Sequence, residues 1–218
     1  MGFADLALKG QVPADEALKV IVKEARRLQR LTNDILDVSR IDGGRISYMM
    51  EEIKLNDLVL NVINSARVNV GDRVSLKTAI NTEKDLVIRG DRERLMQMLT
   101  NILGNAAKFT KEGAITVETG YSDRGKGDVV IKVSDTGGGI PGEVLPNLFG
   151  KFVTKNVGNE NKQGTGLGLF ISKAIVAAHK GSISAHNKDG ASSQYRCLSM
   201  QASEHTSISL QNPLSFLS

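Results

Sequence analysis

The chain has no tryptophan, three tyrosines and six phenylalanines, too few rings to build stacking platforms for nucleic-acid bases. Its one cysteine, Cys197, excludes an intramolecular disulfide framework, and no metal-ligand spacing surrounds it. Charge of one sign is scarce too. Twenty-eight Lys and Arg stand against 24 Asp and Glu, a net +4 spread along the chain, which is no nucleic-acid footprint. No apolar run approaches the roughly 20 residues of a membrane span, and no signal peptide is visible. The sequence therefore reads as soluble and cytoplasmic, with any membrane attachment in segments other than these.

Other features are plentiful. A hydrophobic share of 40% supports a real core, and 218 residues suit one domain with an appendage or two small domains. Twenty-two glycines exceed what a helical bundle needs and point to phosphate loops or tight turns.

Residues 101–110, NILGNAAKFT, organise the rest. Leu95, Met98, Leu99, Ile102, Leu103 and Ala106 predict a helix ending near Phe109 with one apolar stripe, and Asp91 suits its N-cap. Asn101, Asn105 and Lys108 fall at i, i+4 and i+7 and form a polar row. Amide oxygens are hard ligands suited to Mg²⁺, and a lysine neutralises phosphate as a point charge. The same row also suits a solvated helix face.

Upstream, residues 1–10 read as the end of a helix. A second, long helix runs from Ala14 or Asp15 to about Ile41, with a seam of Leu18, Ile21, Ala25, Leu28, Leu31, Ile35 and Val38. At about 40 Å it is too long for a small core and suits a bundle or dimer. Strand character is expected in 45–54, helix in 55–70, and strands in 74–80 and 85–89. Residues 114–121 and 128–134 predict a hairpin. Residues 137–166 lack sustained periodicity apart from a short helical piece at 144–149, and so read as a functional lid. A helix over 166–179 and a short strand over 182–186 follow. The order predicts an α+β fold, helices on one face of a mixed sheet whose other face is partly exposed and whose adjacent strands pair antiparallel.

Four clusters carry the chemistry. The first is the asparagine row. The second is DTGGGI at 135–140, where a carboxylate at a strand end accepts from an amino group such as that of adenine. The third is LFGKF at 148–152, in the lid. The fourth is GTGLGL at 164–169, whose backbone amides at a helix start suit phosphate. Gly137, Gly139 and Gly142 match a dinucleotide fingerprint, but no long helix opens there and no acid ends a parallel strand about 20 residues on. The fourth cluster is no Walker loop, since no Gly-Lys-Ser/Thr closes it.

In this order the four clusters resemble the N, G1, F and G2 boxes of sensor histidine kinases, over about residues 14–187. The resemblance implies a two-layer α/β sandwich with a mixed sheet, the Bergerat-type ATP-binding fold of the gyrase/Hsp90/histidine kinase/MutL group. It divides the chain into part of a dimerisation and phosphotransfer hairpin (1–44), an ATP-binding catalytic domain (45–190) and an atypical tail (191–218). It further implies that Asp135 binds the adenine amino group, while Asn105, joined by Asn101, holds Mg²⁺ and the phosphates. Lys108 contacts phosphate. Gly137, Gly139 and Ile140 shape the pocket, and Gly164, Thr165, Gly166, Leu167 and Gly168 cradle the phosphates. Phe149 and Phe152 anchor the lid, or else simply pack in the core. Lys151 and Lys155 meet the γ-phosphate, or else are solvated lid charges. His179 and His186 read as structural. The implied partners are a second copy, through the 15–41 helix, and a response-regulator receiver domain.

Asn101 stands where water-splitting relatives place a glutamate base, which favours phosphoryl transfer to histidine over ATP hydrolysis. The sequence departs from the family in two places. No histidine stands in residues 1–13, so the chain alone is expected not to autophosphorylate. Residues 191–218 are Ser/Gln-rich without pattern; either 206–210 is the last strand displaced by an insertion, or the strand has been replaced and a sheet edge is left open. A non-catalytic nucleotide-binding or dimerising remnant, and another ATP-using enzyme of the same fold, are the competing readings.

Overall fold

The computed structural model describes residues 2–80, 86–122, 128–154, 164–188 and 192–201. In chain order the elements are α1 (Phe3–Leu8), α2 (Ala14–Asp42), β1 (Glu51–Lys54), α3 (Leu55–Ala66), β2 (Val74–Ile80), β3 (Val87–Gly90) and α4 (Arg92–Phe109). They continue with β4 (Gly113–Tyr121), β5 (Asp128–Asp135), α5 (Gly168–Ala178), β6 (Ser182–Lys188) and β7 (Ser192–Gln201). Short 3-10 turns occupy Arg67–Asn69 and Leu145–Asn147.

Five strands form one sheet in the order β2-β4-β5-β7-β6. Only β2 and β4 run parallel; the other three ladders are antiparallel, so the sheet is mixed as expected. Strand alternation puts Ile115 and Val117 of β4 and Ile131 and Val133 of β5 into the core. There they join the stripe of α4 and the apolar residues of α3 and α5. All six residues of the α4 stripe are buried, and the Asp91 side chain accepts from the Arg94 amide as the N-cap.

Several boundaries differ from expectation. Residues 45–50 are not a strand; β1 begins at Glu51, and the Met49 amide is tied at 2.9 Å to the Asp91 carboxylate. β2 and β3 do not pair with each other. β3 pairs antiparallel with β1 in a separate two-stranded sheet, and β2 joins β4. The 144–149 piece is a 3-10 turn, and α5 starts at Gly168.

The largest correction lies in the region read as a patternless tail. β7 begins at Ser192 and sits inside the sheet, between β5 and β6. A strand beside β6 is thus present at Ser192–Gln201, and among the described residues the sheet edges are β2 and β6. The sheet therefore continues past residue 190, through β7 to Gln201. Residues 206–210 lie outside the described residues.

α2 extends away from this core. Leu18, Leu28 and Ile35 of its seam are 59%, 62% and 52% exposed, whereas Val38 and Ile41 near its end pack against the core. α1 packs back along α2 as a hairpin partner.

Candidate nucleotide site

α4 carries the polar row along the wall it shares with α5. Asn101 donates from Nδ2 to the Gly168 carbonyl at 3.2 Å. It thus clips α5 to α4, a structural role alongside any ligand it holds. Asn105 is half-buried one turn on. Lys108 follows, its Nζ 4.9 Å from the centre of the Phe109 ring. It also lies 3.2 Å from where a Cβ on Gly164 would stand, so the row ends against the glycine loop. Burial lowers the Lys108 pKa below the usual lysine value, and an arriving anion would act in the opposite direction, favouring the charged form.

Asp135, at the end of β5, is 2% exposed. Its Oδ1 accepts from the Gly137 amide at 2.9 Å, which bends the chain back over the carboxylate. A Cβ on Gly137 would meet the Phe109 carbonyl at 2.6 Å and Asp135 Oδ1 at 2.8 Å. Only glycine fits where the end of α4 meets this turn. Ile140 is buried, and its backbone is gripped by one side chain: its amide donates to Asn187 Oδ1 at 2.8 Å, and Asn187 Nδ2 donates to its carbonyl at 2.7 Å. Asn187 is a site-shaping residue that sequence reasoning missed. A carboxamide that imitates a strand partner leaves no trace in residue spacing.

Gly164 to Gly168 run into the start of α5. Thr165 Oγ1 accepts from the Leu167 amide at 3.1 Å and donates to Asp34 Oδ2 of α2 at 2.9 Å. Gly166 has φ 69°, and a Cβ there would lie 2.7 Å from the Phe152 carbonyl carbon. Lid and loop backbones therefore touch at Gly166. Phe152 itself has φ 59° and is 67% exposed, so it is not a core residue, whereas Phe149 is half-buried against the core. A bulky side chain in the left-handed region stores backbone strain beside the loop.

Lys151 is an exposed charge, as expected of the lid, and it is paired. Its Nζ bonds both carboxylate oxygens of Asp42, at 2.8 and 2.6 Å, and lies 5.0 Å from the centre of the Phe170 ring. Lys155 lies outside the described residues. His179 is 5% exposed, takes the Asp91 amide on Nε2 at 2.9 Å and holds the Ile175 carbonyl through Nδ1 at 2.7 Å. The ring therefore carries its proton on Nδ1 and serves as a structural bridge. His186 is exposed on β6.

The arrangement brings together a buried carboxylate, a glycine wall, an amide-and-ammonium row and a glycine loop opening a helix. Residues 90–208, more than half the chain, match the family described as histidine kinase-, DNA gyrase B-, and HSP90-like ATPase. The chain belongs to that family. Residues 1–44 match the His kinase A (phospho-acceptor) domain, which places this ATPase-fold chain with the sensor histidine kinases.

Named relatives agree. The chain is 36% identical over 197 residues to the sensor histidine kinase TrcS of Mycobacterium tuberculosis, covering 87% of this chain and 38% of that protein. It is 35% identical over 179 residues to the sensor protein SrrB of Staphylococcus aureus, covering 80% of this chain and 30% of that protein. The chain thus spans well under half the length of these curated relatives. Among solved structures, full-length ShkA in complex with AMPPNP shares the fold at TM-score 0.74 and 24% identity, over 88% of this chain and 40% of that one. The catalytic domain of the histidine kinase ThkA superposes at TM-score 0.57 and 26% identity, over 70% of this chain and 98% of that one.

Proposed function

We propose that this chain binds Mg²⁺-ATP and transfers its γ-phosphoryl group to a histidine of a phosphoacceptor helix, for relay to a response-regulator receiver domain. The observation that carries this reading is the meeting of the Asp135–Gly137 turn, the end of α4 and the Gly164–Gly168 loop around one wall. The residues fit the ligand. Asp135 would take the adenine amino group against the backbone wall at Gly137. Lys108 and the loop amides would hold phosphate, and Asn105, with the Asn101 amide oxygen, would face the cation. The cation supplies positive charge that spreads over the phosphates as the bond to the γ-phosphoryl breaks.

Phosphoryl transfer is favoured over hydrolysis because Asn101, at the position of a water-activating base, is a carboxamide already engaged with Gly168. The exposed seam of α2 supports a homodimer, the second helical layer coming from another copy. No described helix is long and apolar enough to cross a membrane. We place the chain in the cytoplasm.

Thermal unfolding with Mg²⁺-ATP, with NAD as control, tests the pocket. At about 100 times its dissociation constant, ATP should add about 2.7 kcal/mol and raise the midpoint by roughly 5–10 °C. The Asp135→Asn variant should lose most of that rise. Acid-labile phosphate appearing on a separately supplied histidine-bearing hairpin tests transfer; inorganic phosphate released instead would select the ATPase reading. A cooperative melt indifferent to ATP would leave the non-catalytic reading.

A further inference from the structure

The glycine loop at 164–168 is held from outside by α2, through a short relay centred on Thr165. The Thr165 hydroxyl donates to Asp34 Oδ2 at 2.9 Å, and its oxygen accepts from the Leu167 amide at 3.1 Å. A hydroxyl has one proton, so giving it to Asp34 leaves the lone pairs for that amide. The Leu167 amide is one of the donors where the loop opens α5, and here it is spent inside the loop. Asp34 is half-buried and forms no salt bridge among the described residues. The charges that act on it, Asp37 and Arg30, lie on its own helix and oppose one another. α2 thus brings a carboxylate without a paired cation to the loop that would hold phosphate. Its seat there is fixed further along the helix, where Asp37 bonds Arg94 and Gln97 of α4 and Asp42 bonds Lys151.

We propose that Asp34 is a competing anion: seated on Thr165, it opposes nucleotide phosphate at the glycine loop, so that the docked α2 lowers the affinity for ATP. This rests on the nucleotide reading above and adds a control on that site. Two effects act together. The carboxylate and a phosphate drawn to the same loop repel each other in a partly desolvated place, where like charges interact more strongly than in water. The relay also keeps the Leu167 amide engaged with Thr165. Coupling is reciprocal, so bound ATP weakens the hold of α2 on the loop by the same factor. A purely structural tether acts the other way: removing it loosens the loop and costs affinity for every adenine nucleotide.

The test uses the full chain, the variants Asp34→Asn, Asp34→Glu and Asp135→Asn, and two probes, Mg²⁺-ATP and AMP. Dissociation constants are measured by calorimetry. Asparagine keeps an acceptor for Thr165 and removes the charge, so Asp34→Asn should bind ATP about three- to tenfold more tightly than the parent. Its gain for AMP, which carries fewer charges, should be smaller. Asp34→Glu, which keeps the charge, should show no such gain. At about 1 M salt, where the screening length is about 3 Å, the advantage of Asp34→Asn over the parent on ATP should shrink. Equal or weaker ATP binding by Asp34→Asn overturns the proposal. So does an equal gain for both probes, an equal gain in Asp34→Glu, or an advantage unmoved by salt. Each of those results leaves the pocket in place so long as Asp135→Asn costs ATP affinity. If Asp135→Asn leaves ATP binding intact, or the parent binds no ATP, the nucleotide reading itself fails.

Discussion

Single residues on α2 reach across to the site, and Asp34 has the sharpest consequence. Burial pushes its carboxyl above the usual aspartate value, with the Thr165 hydroxyl acting in the other direction and Asp37 adding to the rise. The sign follows by linkage. The folded state holds the Asp34 proton more tightly than the unfolded state, so this group's stabilisation is complete below the ordinary value of 3.8 and is lost as pH rises through the elevated folded value. Asp34→Asn, which keeps an acceptor for Thr165 but cannot ionise, should therefore gain stability relative to the parent as pH rises from about 4 towards 7. Thr165→Val removes the hydrogen bond that favours the charged form and should steepen the parent's decline. Urea midpoints across that range measure both. Parallel pH profiles for parent and Asp34→Asn would contradict the argument.

His179 makes the second residue-scale case. The Asp91 amide opens α4 from beneath and has the imidazole Nε2 as its acceptor, with the Tyr48 ring edge-on at 5.6 Å. His179→Leu fills the space but leaves that buried amide without its acceptor, which costs about 1–3 kcal/mol. Equilibrium urea unfolding should register the loss. A change below about 0.5 kcal/mol, the scale of an ordinary surface substitution, would mean that water serves the amide instead.

At the scale of elements, α2 is fastened to the catalytic unit by three acids. Asp34 meets the glycine loop, Asp42 meets Lys151 of the lid, and Asp37 meets α4. Asp37 is the most buried of the three: its oxygens take Arg94 Nη1 at 2.9 Å and Gln97 Nε2 at 2.7 Å, and its side chain is 9% exposed. Removing one partner from a largely buried pair leaves a charge uncompensated. Asp37→Ala should therefore destabilise the chain by about 3 kcal/mol. Joint replacement by Asp37→Leu and Arg94→Met should cost much less, since no charge is then left behind. Equal losses in the two would mean that packing, not charge, joins α2 to α4.

These fastenings also mark what the sequence made legible. The α4 stripe was legible because burial follows helical period, and Leu95 through Ala106 are all buried. So were β2, the β4–β5 hairpin and the apolar run of α5. The glycine clusters were legible because Gly137 and Gly166 sit where a Cβ would strike backbone. The acids of α2 were not, because in a pattern they look like a solvated face. Neither were Asn187 and the Asn101 clip, since both act through backbone groups that every residue possesses.

For the whole molecule, the decisive strand is the one the sequence hid. In β7 the apolar residues fall at 195, 197, 198 and 200, which breaks a period of two. The ladder supplies the reason. Tyr195 pairs with Val133, Cys197 with Ile131 and Leu198 with Val130, then the register shifts so that Met200 pairs with Val129. One extra residue, a bulge, separates the last two pairs and disguises the alternation. Yet β7 is interior, pairing with β5 along 128–134 and with β6 along 182–188. β6 in turn carries Asn187, the clamp on Ile140 beside the Asp135 turn. A chain ending at Ala191 would leave one edge of β5 unpaired and β6 without a partner, unlinking that clamp from the site. It should lose the cooperative melt and any ATP-dependent shift. A chain ending at Gln201 keeps every pair of the ladder and should melt within about 4 °C of the full chain, the scale of 1 kcal/mol at this size. If the chain ending at Ala191 melts cooperatively and still responds to ATP, the sheet closes without β7, and a strand order with β7 between β5 and β6 is wrong.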